Sequence, residues 1–256
     1  MVQLLASHET IKAYHDQEYS LINRFSKEFN PYFYFSLAAK TERLLVKDSV
    51  QNGNFWLLEL PIFLKWSNAN DALNPTSGLT FEYRGVPTLN FSSGTKGYFS
   101  HIASLCSYLP VIGDEFLILA QKLSLGAILS HTLGDIPVPK RFLGGSEDNL
   151  RGYRYLTVSP LMGHHPQGGR SAVYYTVEPR FRISKAFGLV PFFDIGNVYT
   201  WILPSFKGKW LKSLGLGFRY FSFFGPLKLD VAFPLNPRKQ VNDPHFWVFV
   251  SLGQTF

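Results

Sequence analysis

A single cysteine, Cys106, stands in 256 residues, which excludes an intrachain disulfide and a thiolate metal cluster. Charge is scarce: Asp, Glu, Lys and Arg together make 17%, against about 25% in average soluble domains. Long apolar runs are missing as well. Phe116-Leu117-Ile118-Leu119-Ala120 is followed at once by Gln121 and Lys122, and nothing approaches the roughly 18 apolar residues of a membrane-spanning helix. The N-terminus, Met1-Val2-Gln3-Leu4-Leu5-Ala6, has neither a basic n-region nor an apolar h-region, so it does not read as a secretory signal. The charge that exists, net +7 with a pI near 9.4, is scattered. Nucleic acid would require basic residues clustered with aromatics on one face, so no nucleic-acid partner is expected.

Aromatic residues, in contrast, are abundant at 16%, with 24 Phe and 13 Tyr, in a chain that is 46% hydrophobic. One soluble core cannot bury so many rings, whereas a barrel in lipid places them on its outside and in its rims. Without a spanning helix, crossing a membrane requires a closed barrel, because lipid offers no partner to a strand edge. The hydropathy has period two. Leu227, Leu229, Val231, Phe233 and Leu235 alternate with Lys228, Asp230, Ala232 and Pro234; Val173, Tyr175, Val177, Phe181 and Ile183 alternate with Tyr174, Thr176, Glu178, Arg180 and Arg182. Such alternation gives a strand one apolar and one polar face. Soluble sandwiches alternate too. The number of such strands with no helix between them, and their aromatic load, favour the membrane barrel.

Strands are expected at about 17–27, 31–46, 54–67, 78–86, 96–109, 115–130, 171–184, 188–200, 211–223, 225–235 and 245–256. Turn signals separate them, among them Asn74-Pro75-Thr76-Ser77-Gly78, Ser93-Gly94, Ile112-Gly113-Asp114 and Phe224-Gly225-Pro226. One long gap, 131–170, holds Gly144-Gly145, Gly168-Gly169 and several prolines, and a loop of that length is usually functional or disordered. The last strand carries Phe246, Val248, Val250, Leu252 and Phe256 on one face and ends the chain.

Three segments in this order resemble the BamA/TamA family of outer-membrane assembly factors, part of the bacterial surface antigen superfamily. They are Phe142-Leu143-Gly144-Gly145-Ser146 leading to Leu150-Arg151-Gly152-Tyr153, Phe192-Phe193-Asp194-Ile195-Gly196-Asn197-Val198-Tyr199, and Gly225-Pro226-Leu227-Lys228-Leu229-Asp230 with the Phe256 ending. The resemblance runs from about residue 12 to the end. It implies an all-β transmembrane antiparallel barrel, of which this chain is the C-terminal part with about eleven strands. On this reading residues 1–256 form one partial barrel domain, without a signal, periplasmic POTRA domains or first strands. The loop 131–170 would fold into the lumen, where Arg151 pairs with Asp194 and has Glu178 as a second acidic neighbour. Gly152 would let the chain turn beside Arg151, Tyr153 completes the loop-anchor motif, and Gly196 would let the loop backbone approach. Gly253 and Phe256 belong to the terminal-strand signal.

The implied function is assembly, insertion or translocation of outer-membrane proteins, at a seam that adds an incoming strand by β-augmentation. The implied partners are the outer-membrane lipid bilayer, unfolded outer-membrane proteins and an inner-membrane or periplasmic protein. The location implied is the bacterial outer membrane ahead of that of an organelle. No enzyme and no cofactor is expected. His164-His165 in a Gly/Pro-rich loop reads as solvated rather than metal-binding, Gly144-Gly145-Ser146 lacks the lysine of a phosphate loop, and no Ser/His/Asp motif stands out. The alternatives are a passive porin-like channel, a polypeptide secretion transporter of the two-partner type, a lipase barrel and a soluble β-sandwich.

Overall fold

The computed structural model describes every residue except 93, 114, 224 and 254–256. In chain order the strands are Val2–Thr10 (β1), His15–Asn30 (β2), Phe33–Lys47 (β3), Asn52–Glu59 (β4), Ile62–Ser67 (β5), Gly78–Asn90 (β6), Lys96–Ile112 (β7), Leu117–Leu129 (β8), Leu161–Met162 (β9), His165–Pro166 (β10), Ser171–Arg182 (β11), Phe187–Tyr199 (β12), Leu211–Ser222 (β13), Gly225–Pro234 (β14) and Trp247–Leu252 (β15). Apart from the small β9–β10 hairpin, they form one 13-stranded antiparallel sheet in sequence order. β4 and β5 are one strand interrupted at Leu60-Pro61, where proline has no N–H for the ladder; both lie between β3 and β6. Counting that pair once leaves the expected strands plus β1. The sequence reading omits β1 because adjacent Leu4 and Leu5 break the alternation there.

The period-two faces sort by environment. On β14, Leu227, Leu229 and Phe233 are exposed on the outside while Lys228, Asp230 and Ala232 are buried inside. On β13, Leu214, Leu216 and Phe218 form the same kind of exposed apolar row. A continuous apolar outer surface suits hydrocarbon rather than water. By the same alternation every carboxylate of the described strands falls on the lumen face.

The loops after β1, β3, β6, β8, β12 and β14 share one rim, the loop rim; the opposite rim carries the connections after β2, β5, β7, β11 and β13. The segment after β8 does not project outward. It makes two 3₁₀ turns, Leu133–Asp135 and Val138–Lys140, and returns through bridges Phe142 to Gly169 and Gly144 to Val158. Leu150, Tyr153 and Val158 then pack on Ala172, Tyr174, Val198 and Leu211 of the inner wall. β1 covers the loop-rim half of β2, from Val2 opposite Asn23 to Thr10 opposite His15. Among the described residues no ladder joins β1 to β15.

Candidate functional site

The site is an ion network in the lumen, built where the loop meets β11, β12 and β14. Asn149 sets the local turn: its Oδ1 accepts the N–H groups of Gly145, Ser146 and Leu150. This aims Arg151 at the wall, where it is 1% exposed. Its Nε donates to Asp194 Oδ2 at 2.8 Å and its Nη2 to Asp194 Oδ1 at 2.8 Å, a bidentate fork. Its backbone N–H adds a third bond to the same carboxylate at 3.2 Å. Nη1 donates to Glu178 Oε1 and to Asp230 Oδ2, each at 2.8 Å. The guanidinium also stacks on Phe192, with its carbon 3.5 Å from the ring centroid. Phe192 and Asp194 are two residues apart on one strand, so both face inward.

Three wall cations complete the network. Arg180 donates to Glu178 Oε2 at 3.0 and 3.1 Å, Arg219 pairs with Asp230, and Lys228 lies 2.7 Å from Glu147 and 3.4 Å from Asp230. Arg151, Arg180, Arg219 and Lys228 thus face Glu147, Glu178, Asp194 and Asp230, a balanced set. Balance matters because an unpaired buried charge is expensive, whereas a paired and hydrogen-bonded one is tolerated. Glu147, on the loop, also accepts from Ser251 on β15 at 2.7 Å. Burial pushes its carboxyl up, but the hydrogen bond and charge of Lys228 outweigh this and hold it below the usual glutamate range.

Gly152 follows Arg151 at φ +89°, and a Cβ there would sit 3.1 Å from Pro234 N and 3.3 Å from Phe233 C. The loop backbone therefore presses on the β14 backbone at a position that only glycine fills without strain. Gly196, where the sequence reading placed the close approach, does something else: its missing side chain makes room for the Tyr174 ring and Val173 O. The Tyr153 hydroxyl lies 2.8 Å from Lys212 O and 2.5 Å from Asn236 Oδ1, either of which can accept its single proton, and burial lifts its pKa to about 12. Next in the chain, Arg154 and Thr157 engage the β14–β15 loop through Asp243 and Arg238.

The loop has a second hold on the opposite wall, which the sequence reading missed. Lys140 lies 2.7 Å from Glu42 on β3 and 3.1 Å from Glu59 on β4. Lys40 shares Glu42 at 2.6 Å and binds Glu18 at 2.7 Å. Asp135 pairs with Lys96 at 2.6 Å, Gln51 accepts the Val138 N–H, and Val138 and Leu143 pack with Ala13 and Tyr14 of the β1–β2 loop. Between the two walls, Arg141 is buried and donates to the carbonyl oxygens of Ile136 and Gln167; burial lowers its pKa to about 10.

Gly253 is buried just past β15 at φ +85°, and its N–H donates to Pro226 O at 2.7 Å. Phe256 lies outside the described residues, as do Ser93, Asp114 and Phe224 of the turn signals. His164 Nδ1 lies 3.0 Å from Gln240 O, and His165 is 3.8 Å from Asp48.

The sequence is 34% identical over 198 residues to the outer membrane protein assembly factor BamA of Nitratidesulfovibrio vulgaris, covering 71% of this chain and 23% of that protein. The chain thus spans about a quarter of the length of this curated relative. Among solved structures, the fold resembles BamA from Haemophilus ducreyi lacking POTRA domains 1–3, with a TM-score of 0.78 at 16% identity over 98% of this chain and 57% of that one. It also resembles CdiB from Acinetobacter baumannii, with a TM-score of 0.58 at 14% identity over 93% and 42%. The model of the Omp85 superfamily domain matches residues 5–256, nearly the whole chain, and the chain belongs to that superfamily.

Proposed function

We propose that this barrel works in the bacterial outer membrane, where it assists the folding and insertion of other outer-membrane β-barrels. The work is strand pairing, with no covalent step and no cofactor. The observation that carries this reading is the way the barrel is held together. The lumen loop ties β3 and β4 to β11, β12 and β14 through Lys140 and Arg151, while no ladder among the described residues joins β1 to β15. A loop that braces both walls from inside lets the edge strands separate without collapse, and a separated edge is a template for an incoming strand. The kinship with BamA of N. vulgaris points the same way. The substrates on this reading are unfolded outer-membrane proteins, delivered with the help of a periplasmic or inner-membrane partner.

The test uses the full-length protein with Arg151 intact or replaced by alanine, and follows a reporter barrel by its heat-modifiable mobility in membranes. Reduced reporter folding, with the variant itself still inserted, is the expected result. Unchanged reporter folding both in the variant and after deletion of the protein would contradict the assembly role. Polypeptide export through the same kind of barrel is the second reading. It expects loss of a secreted polypeptide with reporter barrels unaffected.

A further inference from the structure

The outer face of β1–β4 is polar near the loop rim, while β8 keeps Leu123, Leu125 and Leu129 outward up to the same rim. Strand register places Thr10, His15, Lys47 and Asn52 abreast beside the rim, then His8, Gln17, Leu45 and Asn54. The next row is Ala6, Tyr19, Arg43 and Trp56, and below it come Leu4, Leu21, Thr41 and Leu58. Successive rows are two residues apart, roughly 6.6 Å along the strand, so the Arg43 row lies roughly 13 Å below the rim row. Polarity therefore grades from rim to mid-height as it does from lipid headgroup to acyl chain.

Charge on the outward face of the whole sheet has one sign. The outward strand cations are Lys27, Arg43, Lys47 and Lys212, and no strand carboxylate among the described residues accompanies them. Arg43 and Lys47 stand on the same face of β3. Arg43 is exposed; its guanidinium carbon is 5.3 Å from the Trp56 ring centroid, and its Nε donates to Asn54 Oδ1 at 3.3 Å. A cation facing lipid is costly in the hydrocarbon and cheap among headgroups. From the level of Arg43 downward runs a groove of about 980 Å³ lined by Arg43, Tyr19, Trp56 and Phe91 and then by Leu4, Leu21 and Leu58.

We propose that this face seats one anionic lipid of the leaflet at the loop rim. Its phosphate lies between Arg43 and Lys47, and an acyl chain runs along the groove beside β1. The inference rests on the membrane-barrel reading above. A locally thinner apolar belt would also place polar rows here, but it would show no preference for headgroup charge.

The full-length protein is reconstituted in phosphatidylcholine vesicles containing an equal minor fraction of dibrominated phosphatidylglycerol or dibrominated phosphatidylcholine. The readout is the tryptophan quenching that disappears in Trp56→Phe. Two cations near a membrane surface give a preference of about thirty-fold for the anionic lipid. Quenching of Trp56 by the brominated phosphatidylglycerol is expected to exceed that by the neutral lipid. Arg43→Gln with Lys47→Gln is expected to abolish the difference, and Lys212→Gln on β13 to keep it. Equal quenching by the two lipids, or a difference that survives the double substitution, would overturn the seat. Heat-modifiable mobility of the same samples reports the barrel separately. Protein that never acquires it in vesicles would overturn the membrane-barrel reading itself, and the seat with it.

Discussion

On the wall of β11, β12 and β14, the lumen loop is held by Arg151, whose guanidinium binds Asp194, Glu178 and Asp230 at 1% exposure. On the wall of β3 and β4, the same loop is held by Lys140, 19% exposed at the side chain, and Glu42 and Glu59 there are shared with Lys40. The first hold is dry and centres on the Arg151 fork to Asp194, with Arg180, Arg219 and Lys228 also serving Glu178 and Asp230. The second is wetter, and a second lysine stands ready to satisfy the same carboxylates. The walls differ in their ladders too. β12 and β13 are paired on both sides along most of their length, whereas β1 covers half of β2. The barrel thus combines one firmly anchored wall with one that tolerates rearrangement beside its edge strand.

Breaking the firm hold should have the largest effect. Arg151→Ala leaves buried carboxylates without their shared partner and should cost about 3–5 kcal/mol, as for a buried ion pair broken on one side. Urea titration of heat-modifiable mobility in vesicles measures it, and a loss below that of Lys140→Met would contradict the contrast between the walls. Gly152→Ala comes next, at about 1–3 kcal/mol for a side chain forced into the left-handed region against the β14 backbone. Alanine tolerated there without loss would mean that the loop does not press on β14 as described. Lys140→Met should cost only about 1 kcal/mol, because Lys40 still serves Glu42. The double substitution with Lys40→Met should cost more than the sum of the two single losses.

The smallest expected effect is a pH dependence. Glu147 is held below the usual glutamate range by Lys228. A depressed carboxyl contributes stability that is present in full above its unfolded value, about 4.3, and is lost as pH falls through the folded value. Acidification below that range should loosen the tie from the loop to β14 and β15. Glu147→Gln should be less stable at neutral pH and flatter in its acid response; an identical pH profile in the two proteins would remove Glu147 from the anchor.

Most of the sheet was legible because period-two alternation is a local signal, carried within segments such as 171–184 and 225–235. β1 was hidden by Leu4-Leu5, where two apolar neighbours erase the alternation. The loop anchor was legible only in part. The resemblance singled out Arg151, Asp194 and Glu178, and the structure brings these three together. Asp230 and Lys228 were visible as polar-face positions, yet nothing local joins Asp230 to an arginine 79 residues away. Lys140 and Glu42 lie 98 residues apart, and only the curvature of the sheet brings the wall of β3 to the loop. Ion pairs across a lumen are products of the sheet's curvature, so they leave no periodicity for the sequence to show.

Amide hydrogen exchange of the full-length protein in membranes tests the unequal walls most directly. Peptides from Val2–Thr10 are expected to exchange at least about a hundredfold faster than those from Phe187–Tyr199, as for segments drawn from opposite ends of the stability range. They are expected to slow when an unfolded barrel substrate is added. Equal, slow exchange in both strands, unchanged by substrate, would contradict a pairing edge on the looser wall.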